Sequence, residues 1–179
     1  MIKILAFAGS NSSTSKNFQL IQHTVSLIEG YDVQVLNMSK MPFPLFSEDL
    51  EREEGYKNSL LELKDEIQKA DALILSVNEH NGNPSAYFKN LIDWLSRVDR
   101  DFLEDTRVFL MSTSPGRRGG AGSLAVTKDL LPRFGAEIIT TFSLPSFNHF
   151  FSKEEGITEE PYKTDHHERL QDFLFALEF

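Results

Sequence analysis

An α/β fold built on one parallel sheet is predicted by three features of this 179-residue sequence. Five short apolar or β-branched runs alternate with stretches of helical period, which calls for βαβ crossovers. One of them, Ala72–Val77, is a continuous apolar run of the kind covered on both faces. The polar, turn-rich segments Gly9–Asn17, Asn78–Pro84 and Thr113–Gly120 each follow a strand, so they fall at strand carboxyl ends, where open α/β sheets bind ligands.

Taken in order, Ile2–Ala8 reads as the first strand and Gly9–Lys16 as a loop of small hydroxyl and amide residues. From Asn17 a helix is expected, with Phe18, Ile21, Val25 and Ile28 on its inner face and Gly30 as its stop. Asp32–Asn37 alternates Val33 and Val35 with polar neighbours and gives the second strand. Met41–Phe46 carries two prolines, so it is apolar yet irregular. Gly55–Ala70 places Leu60, Leu63, Ile67 and Ala70 on one helical face and leads into the third strand, Ala72–Val77. Beyond the second polar loop, Pro84 suits a first helical turn, and Phe88, Leu91, Ile92 and Leu95 form the inner stripe. Tyr87 and Trp94 share a flank about 100° away. Two aromatics on an otherwise solvent-facing flank predict an oligomer interface, the alternative being that they pack under a neighbouring loop. Arg107–Ser112 is the fourth strand, Gly122 to Phe134 a helix stopped by Gly135, and Glu137–Phe142 the fifth strand. A last helix carries Leu170, Phe173, Leu174 and Leu177.

Five strands of this kind fit the flavodoxin-like order 2-1-3-4-5, a doubly wound, three-layer sandwich in which residues 1–179 form one domain. Strands 1, 3 and 4 are then neighbours at the centre. Their three polar loops converge on one edge, at the switch point between strands 1 and 3.

A chain of this length buries about 70% of its unfolded surface, enough to enclose a cofactor without a second domain. Its formal net charge of −9 comes from 27 acidic and 18 basic residues, with no basic stripe, which argues against a nucleic-acid partner. The acidic run Ser47–Glu54 reads as solvated surface, as do Glu159, Glu160, Asp165 and Glu168. No apolar run approaches the roughly 18 residues of a membrane span, and Met1–Phe7 is too short for a signal-peptide core; a cytoplasmic location is the expectation. There is no cysteine, so there is neither a disulfide nor a thiolate metal site. Apart from His80, the histidines scatter as His23, His149 and the adjacent pair His166-His167, whose side chains diverge on a helix, so no metal site is expected.

The first loop has hydroxyl residues at five of the six positions from Ser10 to Ser15, ahead of a helix N-terminus, which suits a phosphate. A simple helix cap at Ser15 would explain one of those hydroxyls. The Gly-Lys-Ser/Thr ending of a Walker loop and the Gly-x-Gly-x-x-Gly of a dinucleotide fold are both missing. In the second loop Asn81-Gly82 is a common turn pair, and its amides can also read a flat heterocycle; in the third, Pro115-Gly116 is a turn by composition and Gly119-Gly120 permits close backbone approach.

Three motifs occur in order: Gly9-Ser10-x-x-x-x-Ser15-x-Asn17; Glu79-His80-Asn81-Gly82 with Lys89-Asn90-x-Ile92-Asp93-Trp94-x-Ser96-Arg97; and Ser114-x-Gly116-x-x-Gly119-Gly120. Together they resemble the NADPH-dependent FMN reductases, a flavodoxin-like family that includes quinone, azo-dye and chromate reductases. The resemblance runs from about Ile2 to Phe142. It implies that Ser10, Ser12, Ser15, Lys16 and Asn17 bind the FMN phosphate, that Glu79, His80, Asn81 and Gly82 line the isoalloxazine ring, and that Ser114 touches its pyrimidine side. It also implies a homodimer or homotetramer. Ser12 stands where the family usually has arginine, Asn78 replaces a usual proline and His80 a usual tyrosine.

The expected activity is hydride transfer from NADPH or NADH to FMN and on to free flavin, a quinone or another small acceptor, with no protein acid, base or nucleophile required. The alternatives are a flavodoxin-like electron carrier and a non-enzymatic FMN-binding protein. Arg117 and Arg118, the only paired cations near the converging loops, are candidates for the ribose 2′-phosphate of NADPH, or else solvated turn residues.

Overall fold

In the computed structural model, which describes residues 1–179, the chain runs β1 (Lys3–Ala8), α1 (Lys16–Ser26), β2 (Asp32–Leu36), α2 (Glu48–Glu54), α3 (Asn58–Lys69) and β3 (Ala72–Val77). A small hairpin of β4 (Glu79–His80) and β5 (Asn83–Pro84) leads to α4 (Ala86–Val98), β6 (Arg107–Thr113), α5 (Ala121–Leu130) and β7 (Glu137–Leu144). Then come α6 (Phe147–Phe150), a second hairpin of β8 (Phe151–Ser152) and β9 (Gly156–Ile157), and α7 (Tyr162–Leu177). The main sheet is parallel throughout, in the order β2-β1-β3-β6-β7, which is the predicted 2-1-3-4-5.

Side chains alternate across each strand, and the alternation sorts the core into two layers. Leu5, Phe7, Leu73, Leu75, Val108 and Leu110 face α3 and α4, where Leu60, Leu63, Ile67, Phe88, Leu91 and Leu95 meet them. Ile4, Ala6, Ile74, Phe109 and Met111 face α1 and α7, where they meet Leu20, Ile21, Leu170, Phe173 and Leu177. Strand β3, paired on both sides, is buried at all six positions, which is why it had to be an apolar run. No helix is long and apolar enough to cross a membrane.

Several elements depart from the sequence reading. Helix α1 ends at Ser26, short of Gly30, and its buried residues are Asn17, Leu20, Ile21 and Thr24, while Phe18 and Val25 are half-buried. Its inner face is rotated because two polar residues belong to it, each with a buried partner. The acidic run forms α2, capped by the Ser47 hydroxyl, which accepts from the Leu50 N–H at 3.1 Å. Pro84 is not in a helical turn: it ends the hairpin, and Ser85 caps α4 by accepting from the Phe88 N–H at 3.2 Å. The helix expected to run to Phe134 stays α-helical only to Leu130 and tightens to a 3-10 turn over Leu131–Phe134, since Pro132 has no N–H to continue the ladder.

The solvent-facing aromatic flank on α4 is also corrected. Trp94 is 3% exposed, and its indole N–H donates to the Pro44 carbonyl at 2.8 Å. Tyr87 is half-buried, and its hydroxyl bonds the carbonyls of Met38 and Met41 at 3.2 and 2.7 Å. Burial pushes its phenol up. The two aromatics anchor the proline-containing segment Met41–Phe46, whose carbonyls no regular ladder can satisfy. Trp94→Phe is therefore expected to cost about 1–3 kcal/mol, roughly 2–12 °C in a thermal melt, most of it from the space left by the smaller ring and not from the lost hydrogen bond. The reason is that the Pro44 carbonyl keeps its second partner, the Asn90 side-chain amide at 2.9 Å.

The adjacent histidines do diverge: His166 is buried and His167 exposed. No pattern in the sequence signals, however, that His166 meets His23 of α1, their ring centroids 5.5 Å apart. His166 Nε2 also lies 2.9 Å from the Thr24 hydroxyl, so α7 is fastened to α1 by a buried polar contact among Phe109, Phe142 and Phe173.

Candidate functional site

The first loop leaves β1 at Ala8 and reaches α1 through a tight turn in which Ser12 accepts on its carbonyl from the Ser15 N–H and on its hydroxyl from the Thr14 N–H. Ser10 is buried and accepts from the Ser12 N–H. Ser15 is the cap of α1: its Oγ accepts from the Phe18 N–H at 3.1 Å. That bond uses the oxygen as an acceptor and leaves the hydroxyl proton available, so a cap and an anion ligand are compatible on one residue. The main-chain N–H groups of Ser13, Lys16 and Asn17 make no hydrogen bond within the chain, and Ser12, Ser13 and Thr14 are exposed. This edge therefore concentrates unpaired donors at the positive end of an 11-residue helix.

The Asn17 side chain is bonded within the fold. It is 3% exposed, and its Oδ1 accepts from the Ser76 hydroxyl at 2.7 Å and from the Thr113 N–H at 3.0 Å. Its Nδ2 donates to the Thr113 carbonyl at 3.1 Å. One side chain thus joins the start of α1 to the carboxyl ends of β3 and β6. The Ser85 hydroxyl adds a fourth tie, donating to the Gly9 carbonyl at 3.0 Å. The predicted convergence of the three loops is thereby a matter of specific bonds.

The second loop is a two-residue hairpin, with Asn81 and Gly82 both at positive φ, 54° and 77°, the conformation that Asn-Gly turns adopt. Its tip, His80 to Asn83, is exposed. His80 Nε2 lies 3.2 Å from the Asn78 side-chain amide nitrogen. The Asn78 amide oxygen is buried without a partner, a local cost of about 1–3 kcal/mol at the hairpin's base. Glu79 is turned toward the third loop's helix: its Oε2 accepts from the Ser123 N–H at 2.9 Å. In the third loop the Gly119 carbonyl accepts from Ser112 and Ser143 hydroxyls at 2.8 and 3.0 Å. Ser114 is half-buried, while Arg117 and Arg118 are exposed and enter none of the chain's ion pairs.

Of the sequence-predicted site residues, Ser10, Ser12 and Ser15 lie on the first loop, Lys16 opens α1, and His80, Asn81 and Gly82 stand at the hairpin tip. The supporting residues Ser76, Thr113, Ser85 and Ser123 were missed. Hydroxyls at the carboxyl ends of otherwise apolar strands were the signal that could have found Ser76 and Thr113, because a buried hydroxyl needs a partner. A cavity of about 800 Å³ opens beside the first loop. Its walls include Ser13, Thr14 and Ser15, Gln19 and His23 of α1, and Phe151 of β8, but nothing from the β4–β5 hairpin or the third loop. It therefore extends away from the point where the three loops meet.

The model of a family described as NADPH-dependent FMN reductase matches residues 2–149. The NAD(P)H-dependent FMN reductase PA1204 of Pseudomonas aeruginosa is 30% identical over 121 residues, 67% of this chain and 64% of that protein. A quinone reductase of Escherichia coli is 35% identical over 78 residues, 44% of this chain and 42% of that one. The matches thus span less than two thirds of the length of these relatives. Among solved structures, the flavoenzyme NAD(P)H:(acceptor) oxidoreductase FerB of Paracoccus denitrificans superposes with a TM-score of 0.80 at 24% identity, covering 99% of this chain and 98% of that one, which shows a shared fold.

Proposed function

The chain belongs to the NADPH-dependent FMN reductase family, and from that premise we propose that it is a single-domain, flavin-dependent NAD(P)H oxidoreductase that passes hydride from NADPH through FMN to a quinone, a free flavin or another small acceptor. The observation that carries this reading is the convergence of three polar loops at the centre of the sheet's carboxyl edge, knit together through Asn17, with unpaired donors gathered at the α1 N-terminus. The residues present fit FMN. Exposed hydroxyls of Ser12, Ser13 and Thr14, the free N–H groups of Ser13, Lys16 and Asn17, and the Lys16 ammonium suit a phosphate dianion. The open Asn81-Gly82 turn and Ser114 offer main-chain and hydroxyl groups to a flat heterocycle.

Bound FMN supplies the chemistry, accepting hydride from reduced nicotinamide and handing electrons to the acceptor. The chain's share is to bind and orient. Ser10, Ser12, Ser15 and Lys16 hold the phosphate end, His80, Asn81 and Gly82 edge the ring, and Ser114 approaches its pyrimidine side. Asn17 contributes by fixing the loops. Purified protein mixed with FMN and NADPH under air should oxidise NADPH over many turnovers, and faster with a quinone present. Stoichiometric binding without turnover would leave an electron carrier or a flavin-binding protein.

Arg117 and Arg118, exposed and free of carboxylate partners, are assigned to the 2′-phosphate of NADPH, where a guanidinium can make a forked contact that NADH cannot offer. The double variant Arg117→Ala/Arg118→Ala should raise the Michaelis constant for NADPH several-fold and leave that for NADH nearly unchanged. Equal effects on both reductants would remove the assignment. A cytoplasmic homodimer or homotetramer completes the proposal. With Tyr87 and Trp94 enclosed, the oligomer rests on the family resemblance alone, and a monomer mass by light scattering at micromolar concentration would refute it.

A further inference from the structure

Helix α5 has no capping side chain of its own. Its cap residue, Gly120, sits at φ 78°, ψ 24° and offers no hydroxyl, amide or carboxylate to the first turn. The cap comes from a distant part of the sequence instead. Ser123 is the third residue of the helix, and its N–H is the donor that an N-cap side chain ordinarily takes. Here it donates to Glu79 Oε2 at 2.9 Å, from a residue 44 positions away. The Ser123 hydroxyl returns a 2.9 Å bond to the Asn78 carbonyl. This reciprocal pair works like a capping box assembled between two loops, and it places a carboxylate where the helix dipole favours negative charge.

Gly122 sets the spacing. A Cβ there would stand 2.7 Å from the Gly82 carbonyl oxygen and 2.8 Å from Glu79 Oε2, both closer than real Cβ contacts allow. The arm of the hairpin and its turn therefore both rest on the first turn of α5. The hairpin cannot hold its own position, because β4 and β5 pair through two residues each and so short a ladder is marginal.

We propose that Glu79 is the positioning residue of this hairpin: its carboxylate, seated on the α5 N-terminus, sets where the His80–Gly82 turn stands relative to the third loop, and so how firmly and in what orientation the flavin ring is held. The proposal rests on the FMN reading above. Asn78 and Gly122 serve the same contact, one as acceptor for the returning hydroxyl and one by having no side chain.

The test uses the full chain with Glu79→Ala, Glu79→Gln and Gly122→Ala, an FMN titration followed by fluorescence and visible absorption, and amide hydrogen exchange on the flavin-free protein. Glu79→Ala should weaken FMN binding at least tenfold and shift the visible band of bound FMN. It should also speed exchange at Ser123 and across residues 78–84, with β3 and β6 as protected as before. Glu79→Gln, whose amide oxygen still accepts, should restore most of the affinity. Gly122→Ala should reproduce the spectral shift with the carboxylate in place. Unchanged Ser123 exchange or FMN affinity in Glu79→Ala, faster exchange spread evenly over the whole domain, or wild-type behaviour in Gly122→Ala would overturn the proposal. If the unmodified chain binds no FMN, the functional reading fails, while the exchange measurement alone still decides for or against the Glu79 contact.

Discussion

Asn17→Ala is expected to destabilise the fold by about 3–5 kcal/mol, a drop in melting temperature of roughly 6–20 °C, and to abolish tight FMN binding as the loops separate. The size follows from what the substitution orphans. The Thr113 N–H, the Thr113 carbonyl and the Ser76 hydroxyl all lose a partner at once, and both residues are essentially inaccessible to water, at 1% and 0% exposure. Each unpaired buried group costs about 1–3 kcal/mol, softened where water can follow into the space left behind. Asn17→Asp separates the roles of the two ends of the amide. It keeps an acceptor for Ser76 and for the Thr113 N–H but turns an oxygen toward the Thr113 carbonyl, so it should remain strongly destabilised. Thermal melts alongside FMN titrations decide the matter. A variant that melts like the wild type but binds FMN weakly would make Asn17 a ligand of the phosphate and not a pin between loops.

That residue also shows where the sequence was legible and where it was not. Strand order came from the βαβ alternation together with the flavodoxin-like order that five such strands fit, and the apolar run Ala72–Val77, covered on both faces, agrees with a central parallel position. The three loops followed from strand order. What pattern reading misjudged was polar residues that face inward. Asn17 was read as a phosphate-binding residue and Thr24 was not singled out at all, and the α1 face came out rotated, since a hydrogen-bonded partner 96 or 142 residues away leaves no local trace. Trp94 failed in the same way. Its position on a flank was right, but the segment that covers it, Met41–Phe46, has no period by which its path could be traced, and its free carbonyls are what draw the indole inward. The family resemblance puts Glu79 at the flavin ring, but nothing local in the sequence signals that its carboxylate also caps a helix that begins more than forty residues later. The turn at Asn81-Gly82 was visible because its geometry is written in two adjacent residues.

His166 makes the stability of the chain depend on pH, and the expected result is a loss of about 2 kcal/mol between pH 6.5 and pH 5 from this one residue. Burial among aromatic rings is the main cause that lowers its pKa from the ordinary 6.5 to about 3, helped by the nearby charges of His23 and His167. Above about pH 6.5 neither folded nor unfolded chain holds the extra proton, and the packing of α7 on α1 contributes in full. As the pH falls through 6.5, the unfolded chain takes up a proton that the folded chain refuses. Stability then declines by about 1.4 kcal/mol per pH unit until the folded histidine itself titrates near pH 3, roughly 5 kcal/mol over the whole window. His23 acts in the same direction, its pKa lowered by burial and by Lys163. Urea melts of the wild type and His166→Phe at pH 7.5, 6.0 and 5.0 test this. At pH 7.5 the variant should lose only about 1 kcal/mol, because the Thr24 hydroxyl keeps the Leu20 carbonyl as its acceptor at 2.8 Å. Between pH 6.0 and 5.0 its stability should fall less steeply than that of the wild type by about one proton's worth, so that the two curves converge or cross as the solution is acidified. Parallel curves would mean that His166 is already protonated in the folded chain, and that the contact with Thr24 is made by an imidazolium.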